Sequence, residues 1–147
     1  MNSDCMLKSV VKKFDTITVQ SDDAASTHYN SDENCRAILY VCIEGSSAMS
    51  NEFAIMTVNK DFFSFYVLTM FARPPFQPKH IIYKKILLYN DITKLKARKF
   101  LLWRHIKMHV DENGNECKLK LMISAKTKGI EAQNENLILL MDFLKNF

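Results

Sequence analysis

Glycine and proline are scarce in this chain, three of each in 147 residues. That excludes collagenous, linker-like and low-complexity proteins, and it leaves no glycine-rich loop to cradle a phosphate, so nucleotide-binding motifs are absent. Long apolar runs are missing as well. None approaches the ~20 residues of a membrane-spanning helix, and the first residues, MNSDCMLKSVVKKFD, lack the apolar core of a secretory signal. An intracellular chain, cytoplasmic or nuclear, is the expectation. Four cysteines, at 5, 35, 42 and 117, have neither CxxC spacing nor the density of a disulfide framework, and are expected to be reduced thiols. No serine has glycines placed as in a nucleophile elbow. His105 and His109 would share a zinc ion on a helix, but on a strand four residues span about 13 Å and the rings cannot meet on one metal. No cofactor, metal site or catalytic residue is expected.

What is present is the composition of one ordinary folded domain: 48% hydrophobic residues, 24% charged and a formal net charge of +4. Leu7, Val10, Val11 and Phe14 recur at helical spacing and predict a short N-terminal helix or extension over 1–14, followed by an alternating strand at 16–19. Residues 21–34 are polar and aperiodic, which reads as a long mobile surface loop. From residue 36 onward, β-branched and aromatic runs separated by short polar breaks predict six antiparallel strands, at 36–43, 53–58, 62–72, about 81–89, about 99–110 and about 116–125. Asn59-Lys60-Asp61 and the Asn113-Gly114 step mark hairpin turns. The proline-rich stretch at 73–78 cannot continue a strand, so it reads as a connector. Leu137, Leu140, Met141, Leu144 and Phe147 follow at helical spacing behind Gly129, predicting a C-terminal amphipathic helix of about four turns.

Seven strands and then one helix is the order of the pleckstrin-homology superfold, and residues 85–95, KILLYNDITKL, resemble the strand-then-Asp-Ile step of its GRAM-type branch. The resemblance covers roughly residues 15–147. It implies a mainly β domain with a C-terminal α-helix, a seven-stranded antiparallel sandwich or partly open barrel. The tryptophan usual in the C-terminal helix of that superfold is absent here, since the chain's one tryptophan is Trp103. Many members bind phosphoinositides through basic residues on the first two strands and the loop between them. Here the matching loop, 21–34, holds Asp22, Asp23, Asp32 and Glu33 and no lysine or arginine, so phosphoinositide binding at that place is not expected. Members without the basic loop mostly act as protein-interaction modules, and the resemblance implies the same role here.

Positive charge is concentrated elsewhere. Between residues 79 and 107 nine lysines and arginines face Asp91 alone. If the strand at 99–110 alternates, Phe100, Leu102, Ile106, Met108 and Val110 point inward while Lys99, Trp103, His105, Lys107 and His109 point outward. An outward tryptophan in a basic row suits an acidic peptide, a phosphorylated segment or a nucleic-acid strand; it equally suits a solvated strand whose lysines block edge pairing. Several strands are apolar on both faces, as at 36–43 and 62–72, and Ile138, Leu139 and Phe143 widen the apolar stripe of the C-terminal helix. The surplus is covered either by the chain itself or by a partner. The expected function is a noncatalytic protein-interaction module, a subunit or adaptor in a larger complex, with Lys99, Trp103, His105, Lys107, Ile138 and Phe143 at its contacts and a protein partner or homo-oligomer as its occupant. The alternative is single-stranded nucleic-acid binding by an OB-like barrel through the basic, aromatic strand. Membrane-surface binding through the same stretch is a third reading.

Overall fold

The computed structural model describes residues 35–45, 51–73, 78–127 and 132–147. The expected N-terminal helix over 1–14, the strand at 16–19 and the loop at 21–34 lie outside the described residues. Among the described residues seven strands follow one another: β1 (Ala37–Glu44), β2 (Glu52–Val58), β3 (Phe62–Leu68), β4 (Ile81–Leu88), β5 (Ile92–Phe100), β6 (Trp103–Glu112) and β7 (Asn115–Ser124). One helix, α1 (Gln133–Leu144), comes after them. They build a single antiparallel sheet in the order β4-β3-β2-β1-β7-β6-β5. The sequential strands β4 and β5 therefore sit at opposite edges, which leaves an open corner between two half-sheets. A seven-stranded antiparallel architecture closed by a C-terminal helix, as expected, is compatible with a pleckstrin-homology-like fold.

The seven strands are not the seven that the sequence predicts. Residues 92–100 form β5, although lysines interrupt the apolar pattern there; only Ile92 and Leu95 pack on the core. An edge strand needs few apolar residues, and its lysines discourage pairing with another chain. The single strand expected at 99–110 is a hairpin, since Phe100 pairs with Trp103 and leaves Leu101 and Leu102 as a two-residue turn. Nothing in FLLW signals a turn, because the usual glycine, asparagine or proline is missing. β3 is shorter than expected, ending at Leu68, where the register with β4 shifts and Ala72 donates back to the Thr69 carbonyl at 3.1 Å. β1 is the first strand among the described residues, and the β1–β2 connection at 45–51, GSSAMSN, like 21–34, has no lysine or arginine.

The two half-sheets meet at a narrow seam. β1 pairs with β2 from Ala37 to Ile43, but with β7 only at Cys42↔Met122, Ile43↔Leu121 and Glu44↔Lys120. Continued by one more step on the same face, that register would set Tyr40 opposite Ser124. There α1 intervenes. Gln133, fully buried, accepts from the Tyr40 amide through Oε1 at 3.0 Å and donates through Nε2 to the carbonyls of Tyr40 and Ser124 at 2.8 and 3.1 Å. One turn on, Asn136 Nδ2 donates to the Ile38 carbonyl at 3.0 Å. Side-chain amides thus replace the ladder where the strands part, as buried backbone groups require.

The inner core joins alternate residues of both half-sheets, among them Leu39, Met56, Phe65, Ile106, Met108 and Leu121, with Leu137, Leu140 and Leu144 of α1. This is the sandwich-like packing that the alternation predicts. On the opposite face of β1–β3 a second cluster holds Cys35, Ile38, Ile55, Tyr66, Leu68 and Ala72. Its central side chains are fully buried within the single chain, so the doubly apolar strands are covered from within and do not by themselves call for a partner. α1 ends at Leu144, about three turns long, and Phe147 lies just beyond it. Cys117 shares the face of Leu119 and Leu121 but is exposed, because it lies near the free end of the β6–β7 hairpin.

Two stability outcomes follow from this geometry. Replacing Gln133 with leucine strips three partly buried backbone groups of their partners and should cost about 2 kcal/mol, read as a lower midpoint in urea unfolding; an unchanged midpoint contradicts the seam. Leu101 has φ of 55°, a conformation that costs an L side chain roughly 1–2 kcal/mol. Leu101→Gly should therefore raise stability by about 1 kcal/mol in the same experiment.

Candidate functional site

Hairpin pairing decides which side chains share a face. Because Phe100 pairs with Trp103, the face of Trp103, His105 and Lys107 on β6 carries Phe100, Arg98 and Lys96 on β5. Lys99, expected in the same row as Trp103, pairs with Arg104 on the other face; the turn inverts the parity that an unbroken strand would keep. β7 extends the rows. Met122 lies beside His105, Lys120 beside Lys107 and Lys118 beside His109, and β1 completes two of them with Cys42 and Glu44.

The result is a face of β5–β7 dominated by cations. Successive rows are spaced about 6.8 Å along the strands and neighbours within a row about 4.8 Å apart. The central row, Lys96, Lys107 and Lys120, is flanked by Lys94 and Lys118 on one side and Arg98 on the other. The repulsion is visible at Lys107, whose ammonium is pushed below its ordinary pKa mainly by Lys118, then by desolvation and by Lys120, Lys94 and Lys96. Like charges set opposite each other on a sheet destabilise it. Three carboxylates reach this face: Glu116, whose Oε1 lies 2.7 Å from His109 Nδ1, Asp111, paired with Glu116 at the far end of the hairpin, and Glu44, opposite Lys120. A shallow cavity of about 220 Å³ opens among Glu44, Lys96, Arg98, His105, Lys107 and Lys120.

Toward the turn the character changes. A second cavity, about 450 Å³, is lined by Tyr40, Phe53, Trp103 and Met122, with Cys42 and Lys126 at its wall. The rings of Tyr40 and Phe53 stack with centroids 5.8 Å apart. Burial raises the Tyr40 hydroxyl and the Cys42 thiol above their usual pKa values, with Glu44 adding to the effect at Cys42. Phe100 and Leu102, expected inward, are exposed because they belong to the hairpin end rather than to a continuous strand. Arg104, which has no apolar partner in the sequence pattern, braces the turn, where its Nη1 donates to the carbonyls of Leu101 and Trp103 at 3.3 and 3.2 Å.

The two helix residues expected at contacts stand apart from this face and from each other. Ile138 is exposed beside Leu139 on α1. Phe143 packs in an aromatic cluster, its ring centroid 5.2 Å from Tyr89, 5.6 Å from Phe147 and 6.1 Å from Phe63, with the Arg36 guanidinium 5.9 Å from its ring. A charge at Phe143 would disturb the core, so this position holds the helix down. The sequence pattern leaves Lys94, Lys96 and Arg98 in the connection between two strands, and sets Lys118 and Lys120 on the strand at about 116–125 without joining them to the basic row. The pairing Phe100↔Trp103 is the signal that gathers them, and it becomes readable only once the turn is located. Among the described residues no three His, Cys, Asp or Glu side chains gather as metal ligands, and no helix is long and apolar enough to cross a membrane.

Crowded ammonium groups predict a salt response. Raising ionic strength screens their repulsion and should raise the thermal midpoint, and Lys107→Met should raise it at low salt while flattening the dependence. A midpoint that falls with salt in the wild type contradicts this account. In comparison with known proteins, no family model matches the chain and no curated protein matches it.

Proposed function

We propose that the protein is a noncatalytic interaction module, a subunit or adaptor of a larger intracellular complex, that takes an acidic segment of a protein partner on the outer face of β5–β7. The observation that carries this reading is the row of Lys96, Lys107 and Lys120, set side by side across β5, β6 and β7 with Lys94 and Lys118 in the next row, whose mutual repulsion lowers the pKa of Lys107. A patch that destabilises its own fold is relieved when an anion arrives. The chain's resemblance to the GRAM-type branch, carried by the step from β4 through Tyr89–Asp91 into β5, supports an interaction role and belongs to the same proposal.

A second reading has its own support. The cavity lined by Tyr40, Phe53 and Trp103 adjoins the basic rows, and aromatic surfaces beside cations suit the bases of a single-stranded nucleic acid. The acidic peptide is favoured because the lysine rows themselves carry no aromatic side chain on which successive bases could stack. The OB-like barrel of that alternative does not apply, since the sheet has seven strands in meander order about one seam.

Fluorescence anisotropy with a labelled oligoglutamate peptide and, separately, with an oligothymidylate separates the two. The expected result is peptide binding that weakens with salt and falls at least tenfold in the double variant Lys96→Glu, Lys107→Glu. Affinity should be full below the depressed pKa of Lys107 and decline as pH rises through it, because the bound anion favours the charged ammonium. Binding of the oligonucleotide with no binding of the peptide would overturn the reading in favour of nucleic acid.

A further inference from the structure

Among the described residues, the tip of the β5–β6 hairpin is the longest consecutive run of exposed large apolar side chains. Phe100, Leu101, Leu102 and Trp103 are consecutive, and 67%, 75%, 52% and 40% of their surfaces are open to solvent. Turns are ordinarily built of polar or small residues, and four large apolar side chains at one need a reason. We infer that this tip is a membrane-insertion element that seats the domain on an anionic lipid bilayer.

Three features favour a bilayer as the occupant. The first is shape: a two-residue turn is convex, its side chains project from the end of the hairpin, and a fluid bilayer accepts such a tip without a complementary pocket. The second is charge. Immediately behind the tip Lys99 and Arg104 pair on one face of the hairpin and Arg98 lies opposite His105 on the other, so cations collar it on both sides. Asp91 and Asp111 lie at the other end of the same hairpin; Asp111 is eight residues from Trp103, about 27 Å along a strand. The hairpin thus runs from apolar tip through basic collar and the lysines of its middle, Lys94, Lys96 and Lys107, to Asp91 and Asp111 at its base, so that the cations stand on the headgroup side of the tip and the carboxylates farthest from it.

The third feature is backbone satisfaction, which any group entering a bilayer needs. The Leu101 and Trp103 carbonyls accept from Arg104 Nη1, and the Leu102 carbonyl accepts from the Ala125 amide at 2.8 Å. Trp103, at the border between tip and collar, has the position that tryptophan favours at a membrane interface. The inference goes beyond the acidic-partner reading and does not depend on it. The Lys96, Lys107 and Lys120 row lies about 13 Å behind Trp103, farther than the ~8 Å Debye length at physiological ionic strength, and stays available to a protein.

Trp103 is the chain's one tryptophan and reports on the tip directly. With the full chain and vesicles of phosphatidylcholine mixed with phosphatidylserine, the expected results are co-sedimentation, a blue shift of tryptophan emission and quenching by lipids brominated in the acyl chains. Vesicles of phosphatidylcholine alone should bind at least tenfold less. The double variant Leu101→Ser, Leu102→Ser should lose at least tenfold of the vesicle binding and keep its oligoglutamate affinity. Unshifted Trp103 emission, equal sedimentation on neutral vesicles, or unimpaired sedimentation of the variant overturns the inference, and so does a dimer in light scattering that the variant dissociates, which would assign the tip to a second copy.

Discussion

Every other feature of this fold depends on how β1 and β7 part company. The two strands pair for three residues and then separate, leaving largely buried peptide groups without ladder partners. An unpaired buried donor or acceptor costs more than a made hydrogen bond returns, so a bend of this kind exists only where something else supplies the missing partners. Gln133 does so at Tyr40 and Ser124, and Asn136 does so at Ile38. Both come from α1, whose leucines close the inner core behind them. The helix is therefore at once the lid of the core and the continuation of the sheet. Without it, the half-sheet of β1–β4 and the half-sheet of β5–β7 would have no fixed angle between them.

That division also separates the work of the two halves. β1–β3 are buried on both faces and form the rigid side of the domain. β5–β7 are buried on the inner face only, which leaves their outer face free to carry charge. The lysines there work against folding, since each raises the energy of its neighbours, and the rigid half is what can bear them. Function, on this view, sits on the half that contributes less to the core.

How far the residues foretell this is uneven, for identifiable reasons. Strands rich in Ile, Val, Phe and Tyr, such as β1 to β3, announce themselves because burial demands apolar side chains. The Asn113-Gly114 turn is equally plain, both residues having the positive φ that it requires. β5 is hidden because an edge strand exposed on one face is mostly lysine and arginine, and the FLLW turn is hidden because its residues are those of a strand. One missed turn then misplaces Lys99 and overlooks the rows of Lys96 and Lys120, since face membership follows parity. Gln133 and Asn136 read as unremarkable polar residues before a leucine stripe; their role depends on contacts more than ninety residues away in sequence, which no local pattern encodes.

The central claim is that the outer face of β5–β7 is the binding surface. Amide chemical-shift mapping by NMR during titration with an acidic peptide tests it most directly. Perturbations confined to the rows around Lys96, Lys107 and Lys120 and their neighbours on β6 are the predicted result. Perturbations centred instead on α1 around Ile138, or on the β1–β2 connection, with β5–β7 unmoved, would contradict it.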